Sequence, residues 1–411
     1  MPRSVWLLVA ARAINRLGAF SLPFLTVLIS ADFGASATTA GLLSAAFGLA
    51  TIPSRLAGGR LATTLGRRRT IVAGLTGCAV AQLGIAAAGS LAEVAVFAIL
   101  LGLAFELYEP PSQALIADAV GPADRVRAYG LLNAGLAAGG AGAGLMAAVL
   151  GRWDLRWLFV ADALTCLLCA LVLHLTLPVD RADRADRPAG RRGGGAERVR
   201  PWRDRAMWAV FVPGTLFALV GMQTVMGLPL TLARRGLPPA DAGLLFTASA
   251  VTAVLVQPAL RLRRLASLSD SSALALGHVL LALGLGGYAR ASSLPAFVAA
   301  TVVCGLGEVL VMSRIFGVVA GLAPRGGADG YLAAYGISWG IATVAAPVTS
   351  TQTLEHLGAA APWAGAALLC LALAATYLLL VRPLLAARDR SAPDGVGAGG
   401  GSVPTAATDP R

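Results

Sequence analysis

The sequence predicts an all-α membrane protein of twelve spanning helices, built as two related six-helix bundles. Three observations predict it: long apolar runs separated by clustered charge, arginines that favour alternate connections, and an internal repeat. Of the 411 residues, 57% are apolar and 13% charged, against roughly 45–50% and about 25% in a soluble domain. A soluble core needs polar positions spread along every helix. Here the charges gather between apolar runs, each near the ~20 residues that cross ~30 Å of hydrocarbon.

The net charge is +12 and every basic residue is Arg. A basic chain can point to nucleic acid, but these arginines sit where membrane topology puts them, so no nucleic-acid partner is expected. All five cysteines, Cys78, Cys166, Cys169, Cys304 and Cys370, fall inside apolar runs. Cys166 and Cys169 form a Cys-x-x-Cys, but apolar surroundings disfavour the thiolate that metal or redox chemistry requires. They read as small packing residues, and neither a metal nor a cofactor is expected. The first apolar run holds Arg12, Asn15 and Arg16 and lacks a small-residue cleavage site, so it reads as the first spanning helix and not as a cleavable signal.

Spanning helices are expected near 5–29, 38–60, 70–89, 92–118, 128–150, 157–177, 206–232, 241–261, 272–290, 295–322, 331–353 and 361–382. They fall into an N-terminal bundle, 1–177, and a C-terminal bundle, 206–386. Between them, residues 178–205 are rich in Arg, Asp, Gly and Pro and read as a flexible cytoplasmic linker. Residues 387–411 are polar and Gly-rich, the composition of a disordered tail. Orientation follows from arginine placement. With the N-terminus in the cytoplasm, the cytoplasmic connections hold Arg67 to Arg69, Arg125, Arg127, nine arginines of the linker, Arg261, Arg263, Arg264 and Arg325. The opposite face holds Arg152, Arg156, Arg234, Arg235 and Arg290. Both termini are therefore expected in the cytoplasm.

The repeat has a constant offset of 202 residues, from Trp6 to Trp208. In that register Ala40-Gly41-Leu42-Leu43 matches Ala242-Gly243-Leu244-Leu245, Glu106 matches Glu308, Pro122 matches Pro324, and Tyr129 matches Tyr331. Two parallel halves related by an axis along the membrane normal are the architecture of rocker-type secondary transporters.

Further residues carry a family likeness. The connection after the second helix reads Gly59-Arg60-Leu61-Ala62-Thr63-Thr64-Leu65-Gly66-Arg67-Arg68-Arg69. It resembles the G-x-L-A-D-R-x-G-R-R signature of the major facilitator superfamily. The stretch Tyr108-Glu109-Pro110-Pro111, followed by Ala114 to Asp118, is similar to the fourth helix of the twelve-helix bacterial drug:proton antiporters in that superfamily. Arg12, Asn15, Arg16 and Gly18 in the first helix, and Trp157, Phe159, Asp162 and Ala163 opening the sixth, fit the same branch. The departures are specific. The signature's Asp and following Arg are Thr63 and Thr64, which puts the charge latch of the cytoplasmic gate in doubt. The antiporters' fourth-helix Arg falls on Ala98. The exporter fifth-helix pattern is half present, as Gly135, Gly139, Gly140 and Gly144, with Leu145 where Pro is expected. The resemblance implies a gating role for Gly59, Gly66, Arg67, Arg68, Arg69 and Asp118. Read from the residues alone, the three arginines anchor a helix end against anionic lipid, and the glycines let helices approach closely.

A charge at the centre of a spanning helix costs roughly 2.5–3.5 kcal/mol on insertion scales, so each intramembrane charge needs a reason. In the superfamily, helices one, four, seven and ten line the central cavity. Here those helices carry Arg12, Asn15 and Arg16; Glu106 and Glu109; Gln223; and Glu308 and Arg314. Asp162, His174 and His278 fall elsewhere, near predicted helix ends. Arg12, Asn15 and Arg16 share a face by their i, i+3, i+4 spacing, as do Glu106 and Glu109. A rise of about 1.5 Å per residue brings the two sets to comparable depth, so pairing is expected, either as structural glue or as part of a coupling network. Asn15 and Gln223 are expected at the substrate cavity. Glu308 has Arg314 on roughly the opposite face and is the carboxylate least committed to a partner. Desolvation favours the protonated form of such a group, which makes it the candidate for a coupled proton.

The resulting expectation is a secondary active transporter, exporting a small amphipathic molecule such as a drug or secondary metabolite in exchange for protons. Import or uniport on the same fold stays open, as does, from another class, a non-transporting membrane sensor or enzyme. No Gly-x-x-x-x-Gly-Lys-Ser/Thr nucleotide loop occurs, and His174, His278 and His356 are scattered outside any catalytic motif, so no enzyme is expected. The expected partners are the small-molecule substrate, protons and the lipid bilayer, around a monomeric multi-pass chain in the inner (plasma) membrane. Reporter fusions after residues 33, 90, 236 and 357 should report the outside, and fusions after 66, 122, 190 and 395 the inside. One exchanged pair would remove both the helix count and the repeat.

Overall fold

The computed structural model describes residues 3–18, 21–109, 111–112, 115, 125–176, 201–261, 265, 267–323 and 328–384. Asp118, most of the linker (178–200) and the tail expected over 387–411 lie outside the described residues. Every described element is helical: α1 Arg3–Gly18, α2 Leu25–Phe33, α3 Ala37–Thr64, α4 Arg67–Ala87, α5 Leu91–Phe105, α6 Arg125–Leu150, α7 Arg156–Thr176, α8 Arg205–Arg234, α9 Ala242–Val256, α10 Asp270–Arg290, α11 Leu294–Gly321, α12 Ala328–Leu357 and α13 Ala361–Thr376, with short 3-10 and π turns between or after them. Among the described residues, ten helical segments are long and apolar enough to cross a membrane, and Leu91–Phe105 and Gly135–Leu150 are shorter apolar helices.

Local chemistry sets the ends. Ser36 and Ser90 cap α3 and α5 by accepting from the backbone N–H of Thr39 and Glu93, and Asp204 caps α8 through Ala206. Such caps satisfy amides that have no intrahelical partner. Gly66, between α3 and α4, has φ 92°, a left-handed value that a residue with Cβ reaches only under strain.

Three expected spans are interrupted. In the first, 5–29, a 3-10 turn, Leu22–Phe24, lies between α1 and α2. The fourth, 92–118, stops as an α-helix at Phe105. Pro110 and Pro111 have no N–H to offer the carbonyls of Glu106 and Leu107 four residues back, so the ladder fails one turn ahead of the prolines. The eighth, 241–261, gives way after Val256 to a 3-10 turn, Gln257–Arg261.

Two large apolar clusters form the interior. One draws on residues between Val9 and Leu173. The other draws mostly on residues between Met207 and Val381, with Phe24, Ala147 and Leu158 joining it. Elements of the first set meet elements of the second along two seams, α3 against α12 and α6 against α9. Both seams are tight at one end and open at the other. On α3, a Cβ at Gly48 would stand 3.1 Å from the carbonyl oxygen of Thr343. Ile52, on the same stripe one turn further, is exposed. On α12, Thr351 and Pro347 meet Gly41, whereas Gly340 and Gly336, continuing the stripe, have nothing within 4 Å of a Cβ position. On the second seam a Cβ at Gly144 would lie 2.5 Å from the Gly243 carbonyl oxygen. Ala137, two turns back on α6, and Val254 on α9 are exposed. Glycine thus permits backbone contact at the tight end.

Polar contacts also bridge the seams there. The Glu355 carboxylate accepts from the N–H and hydroxyl of Thr38, at 2.6 and 2.7 Å, and so sits at the N-terminus of α3, where amides are free and the helix dipole favours an anion. Arg152 pairs with Asp241 at 2.7 Å across the other seam. A Thr38→Cys/Glu355→Cys double variant should therefore crosslink readily with a short thiol reagent, and transport should stop until the link is cleaved. Continued transport in the fully crosslinked protein would show that this end need not open.

Candidate functional site

Three helices converge on a cavity of about 420 Å³ lined by Arg12, Asn15, Arg16, Phe105, Glu106, Tyr108, Glu109, Leu136 and Ala137. The α1 spacing puts Arg12, Asn15 and Arg16 on one face. After α5 a turn presents Glu106 and Tyr108, helix resumes at Glu109, and α6 supplies an apolar wall. Arg12 Nη2 donates to Glu109 Oε2 in an ion pair that is mostly shielded from solvent. The Arg12 guanidinium also lies 5.2 Å from the centre of the Tyr108 ring, within cation–π range. Glu106 turns the other way, with Oε2 3.6 Å from Arg55 Nε on α3, and its backbone N–H donates to Ser54 Oγ at 3.1 Å. The helix-one/helix-four pairing thus joins Arg12 to Glu109, while Glu106 faces a third helix. Arg16 lies on the cavity wall and is largely exposed. Arg12 Nη1 and Glu106 Oε2 are enclosed and make no hydrogen bond among the described residues, and six of the nine lining residues carry hydrogen-bonding side chains.

A polar chain runs from this cavity into the apolar interior. The Tyr108 hydroxyl donates to Asn15 Oδ1 at 3.1 Å, Asn15 Nδ2 donates to Cys166 Sγ at 3.3 Å, and the Cys166 thiol points to Asp162 Oδ1 at 3.7 Å. Ser21 donates to Asp162 Oδ2 at 2.7 Å. Asn15, Ser21 and Asp162 are all buried.

The remaining expected positions are spread out. Glu308 sits near the middle of α11. Thr301 and Ile315, seven residues to either side on the same stripe, are buried, yet Glu308 is exposed and makes no hydrogen bond or ion pair among the described residues. The exposed apolar residues of that helix, Val302 and Phe316, lie on another face. Glu308 therefore looks into a local opening on an otherwise packed side. Arg314, grouped with it on sequence grounds, pairs with Asp270 at the start of α10 at 2.9 Å and donates to the Leu265 carbonyl; six residues of helix carry it away from Glu308. Gln223, expected at the substrate cavity, is buried and donates to the Pro362 carbonyl at 2.8 Å, making a helix–helix contact. His278, expected near a helix end, is fully buried within α10, with its ring near Phe217 and Tyr377. Gly59 lies within α3; Gly66 precedes α4, which Arg67, Arg68 and Arg69 open. Gly135 and Gly139 pack on Val9 and Ala13 of α1, Gly140 approaches Arg16, and Gly144 faces α9.

Comparison with known proteins fits this arrangement. A sequence profile of the Major Facilitator Superfamily matches residues 8–267. The chain belongs to this superfamily. It is 25% identical over 364 residues to the uncharacterized MFS-type transporter YqjV of Bacillus subtilis, covering 87% of this chain and 88% of that protein. It is 31% identical over 242 residues to the puromycin resistance protein pur8 of Streptomyces alboniger, covering 53% and 48%. Among solved structures, a peptide transporter POT in complex with sulfate superposes with TM-score 0.73 at 16% identity, covering 95% of each chain. An inward-facing, occupied bacterial homologue of the human lysosomal transporter Spinster gives 0.68 at 18% identity, covering 94% of this chain and 98% of that one. Superfamily membership makes this a multi-pass membrane transporter that handles a small-molecule substrate in a lipid environment, and not an enzyme.

Sequence reasoning about this superfamily member missed Arg55, Ser21, Gln82 and the polar use of Cys166. Arg55 and Ser21 did carry a signal, as polar residues inside predicted spans. Their partners lie more than fifty residues away, and only packing names them. Removing one partner of a shielded ion pair costs about 3–5 kcal/mol. Arg12→Ala should therefore lower stability by an amount in that range, and Glu106→Gln by under about 1 kcal/mol, because Arg55 is exposed. A double-mutant cycle between Arg12 and Glu109, read by thermal unfolding in detergent, should show strong coupling, and one between Arg12 and Glu106 little.

Proposed function

We propose that this chain is a twelve-helix, two-bundle exporter of small amphipathic organic molecules, driven by protons entering in exchange. The observation that carries the reading is Glu308: an accessible carboxylate at mid-helix, on an otherwise buried stripe, with no polar partner. A carboxylate without a cation beside it can take up and release a proton as water access changes, which a paired one does only at the cost of its partner. The cavity chemistry supports an amphipathic substrate. Phe105, Leu136, Ala137 and the Tyr108 ring offer apolar and aromatic surface beside the charged side chains of Arg12, Arg16, Glu106 and Glu109. The puromycin resistance relative supports export of such a molecule.

Alternating access follows from the seams. The arginine bias assigns the open end, which leads to Gly66 and Arg67 to Arg69, to the cytoplasm. Residues 1–177 and 206–386 then act as the two bundles, N- and C-termini inside, in the inner membrane, with substrate loading from the cytoplasm. Gly144 against Gly243, and Gly41 against Thr351, are the close contacts that part when the outer end opens. Arg12 and Glu109 hold the binding face, and Arg67 to Arg69 anchor the gating connection. The exchange runs as proton entry from outside onto Glu308, release inside, and substrate movement outward on the opposite half-cycle.

Proteoliposomes with an imposed pH gradient test the coupling. Glu308→Gln mimics the protonated side chain and cannot release a proton, so it should abolish uphill transport of a fluorescent amphipathic cation while leaving downhill exchange. Uphill transport at the wild-type rate would move the coupled proton elsewhere. Loss of both modes would make Glu308 a structural or substrate-binding group.

A further inference from the structure

Outside the cavity, two acids are deeply buried among the described residues: Asp241, which pairs with Arg152, and Asp162. Asp162 lies six residues into α7, about 9 Å along the helix from its start, and is 4% exposed. It makes no ion pair. Its contacts are the Ser21 hydroxyl at 2.7 Å, the Cys166 thiol at 3.7 Å and the Gln82 side chain from α4. The ionisable groups bearing on it from the packed elements are Arg16 of α1, Cys78 of α4, and Cys166 of its own helix. Ser21 immediately precedes the 3-10 turn Leu22–Phe24 that leads into α2. Gln82 is 3% exposed, and its Oε1 has no hydrogen-bond partner.

We propose that Asp162, held between Ser21 and Gln82, is a second proton-binding site of this chain, separate from Glu308 and linked to the cavity through Cys166, Asn15 and Tyr108. The inference rests on the reading that the chain moves protons. A deeply buried carboxylate that makes no ion pair among the described residues, with Arg16 acting on it only through space, is costly as an anion, and protonation removes that cost. The neutral acid then needs an acceptor for its O–H. Rotation of the Gln82 amide brings the unpartnered Oε1 to that place, since the oxygen and nitrogen ends of an amide exchange by a half-turn. A metal cation fits less well. Hard cations take about six or more oxygen ligands, whereas this cluster offers the carboxylate, one hydroxyl and one amide oxygen, beside a thiol and an arginine.

The link to the cavity transmits orientation and not protons, because the Asn15 amide neither gains nor loses a proton near neutrality. Three donors point in series towards Asp162. When the carboxylate becomes neutral, the Cys166, Asn15 and Tyr108 bonds weaken in turn, and Tyr108 is the ring beneath Arg12. Proton occupancy at Asp162 thereby acts on the Arg12–Glu109 pair.

Infrared titration of the carboxylic C=O band, in purified protein reconstituted in lipid, tests this without any substrate. The wild type should show two buried components that shift in D2O. Asp162→Asn should remove one and Glu308→Gln the other. Ser21→Ala removes a donor to the anion and should move the Asp162 midpoint up by about one to two pH units, the worth of one hydrogen bond to a charged group. A monodisperse Asp162→Asn protein that retains both components would overturn the proposal, leaving Asp162 a permanently ionised structural group. If that variant does not fold, an unmoved midpoint in Ser21→Ala overturns it instead. Loss of a component in Asp162→Asn with none lost in Glu308→Gln would leave the second site standing and remove Glu308 as the coupled group.

Discussion

The Arg12–Glu109 ion pair is the contact on which the N-terminal half of this structure turns. Two interrupted elements meet there: a first span that carries a 3-10 turn at Leu22–Phe24 and a fourth that loses its helical ladder after Phe105. Each interruption leaves backbone groups to be satisfied in a non-aqueous setting, where unmade hydrogen bonds are costly. The ion pair ties the two broken elements side by side. Tyr108, under the guanidinium, extends the tie to Asn15 and α7. Without a partner, either charge would be exposed to the full cost of desolvation.

Among the described residues, the C-terminal half has no counterpart at that place in the repeat register. Glu308 occupies the repeat position of Glu106, but Glu106 faces Arg55 whereas Glu308 faces an opening. Two positions that share the 202-residue register thus differ in partner. Internal symmetry specifies the position of a side chain along its helix, and the opposing helix decides what that position does.

The seams explain how such a molecule can move. At the tight end, Gly48, Gly144 and Gly243 allow backbones into contact, and Thr38–Glu355 and Arg152–Asp241 add hydrogen bonds and charge. These are small, discrete contacts at one end of otherwise rigid helices, so parting them disturbs the second apolar cluster mainly where Phe24, Ala147 and Leu158 join it. Large clusters confined mostly to one half each are consistent with rigid-body motion, because close-packed interiors resist continuous deformation.

Amino-acid order alone determined the class of structure. Apolar runs, the placement of arginine and the offset of 202 residues from Trp6 to Trp208 reflect free energies of transfer and periodicity, which act through local sequence. The superfamily was legible for the same reason, in a short signature from Gly59 to Arg69. The proline pair after Glu109 announced a break, although the break fell a turn earlier, at the carbonyls those prolines leave unbonded. Tertiary structure decided the partners. Helical spacing says which residues share a face but not which helix lies opposite, so the sequence could not send Glu106 to Arg55, Gln223 to the Pro362 carbonyl, or Arg314 to Asp270. Nor could it gather Ser21, Gln82 and Cys166 around Asp162. Those choices depend on how the helices pack, a cooperative outcome of many weak contacts that no single segment encodes.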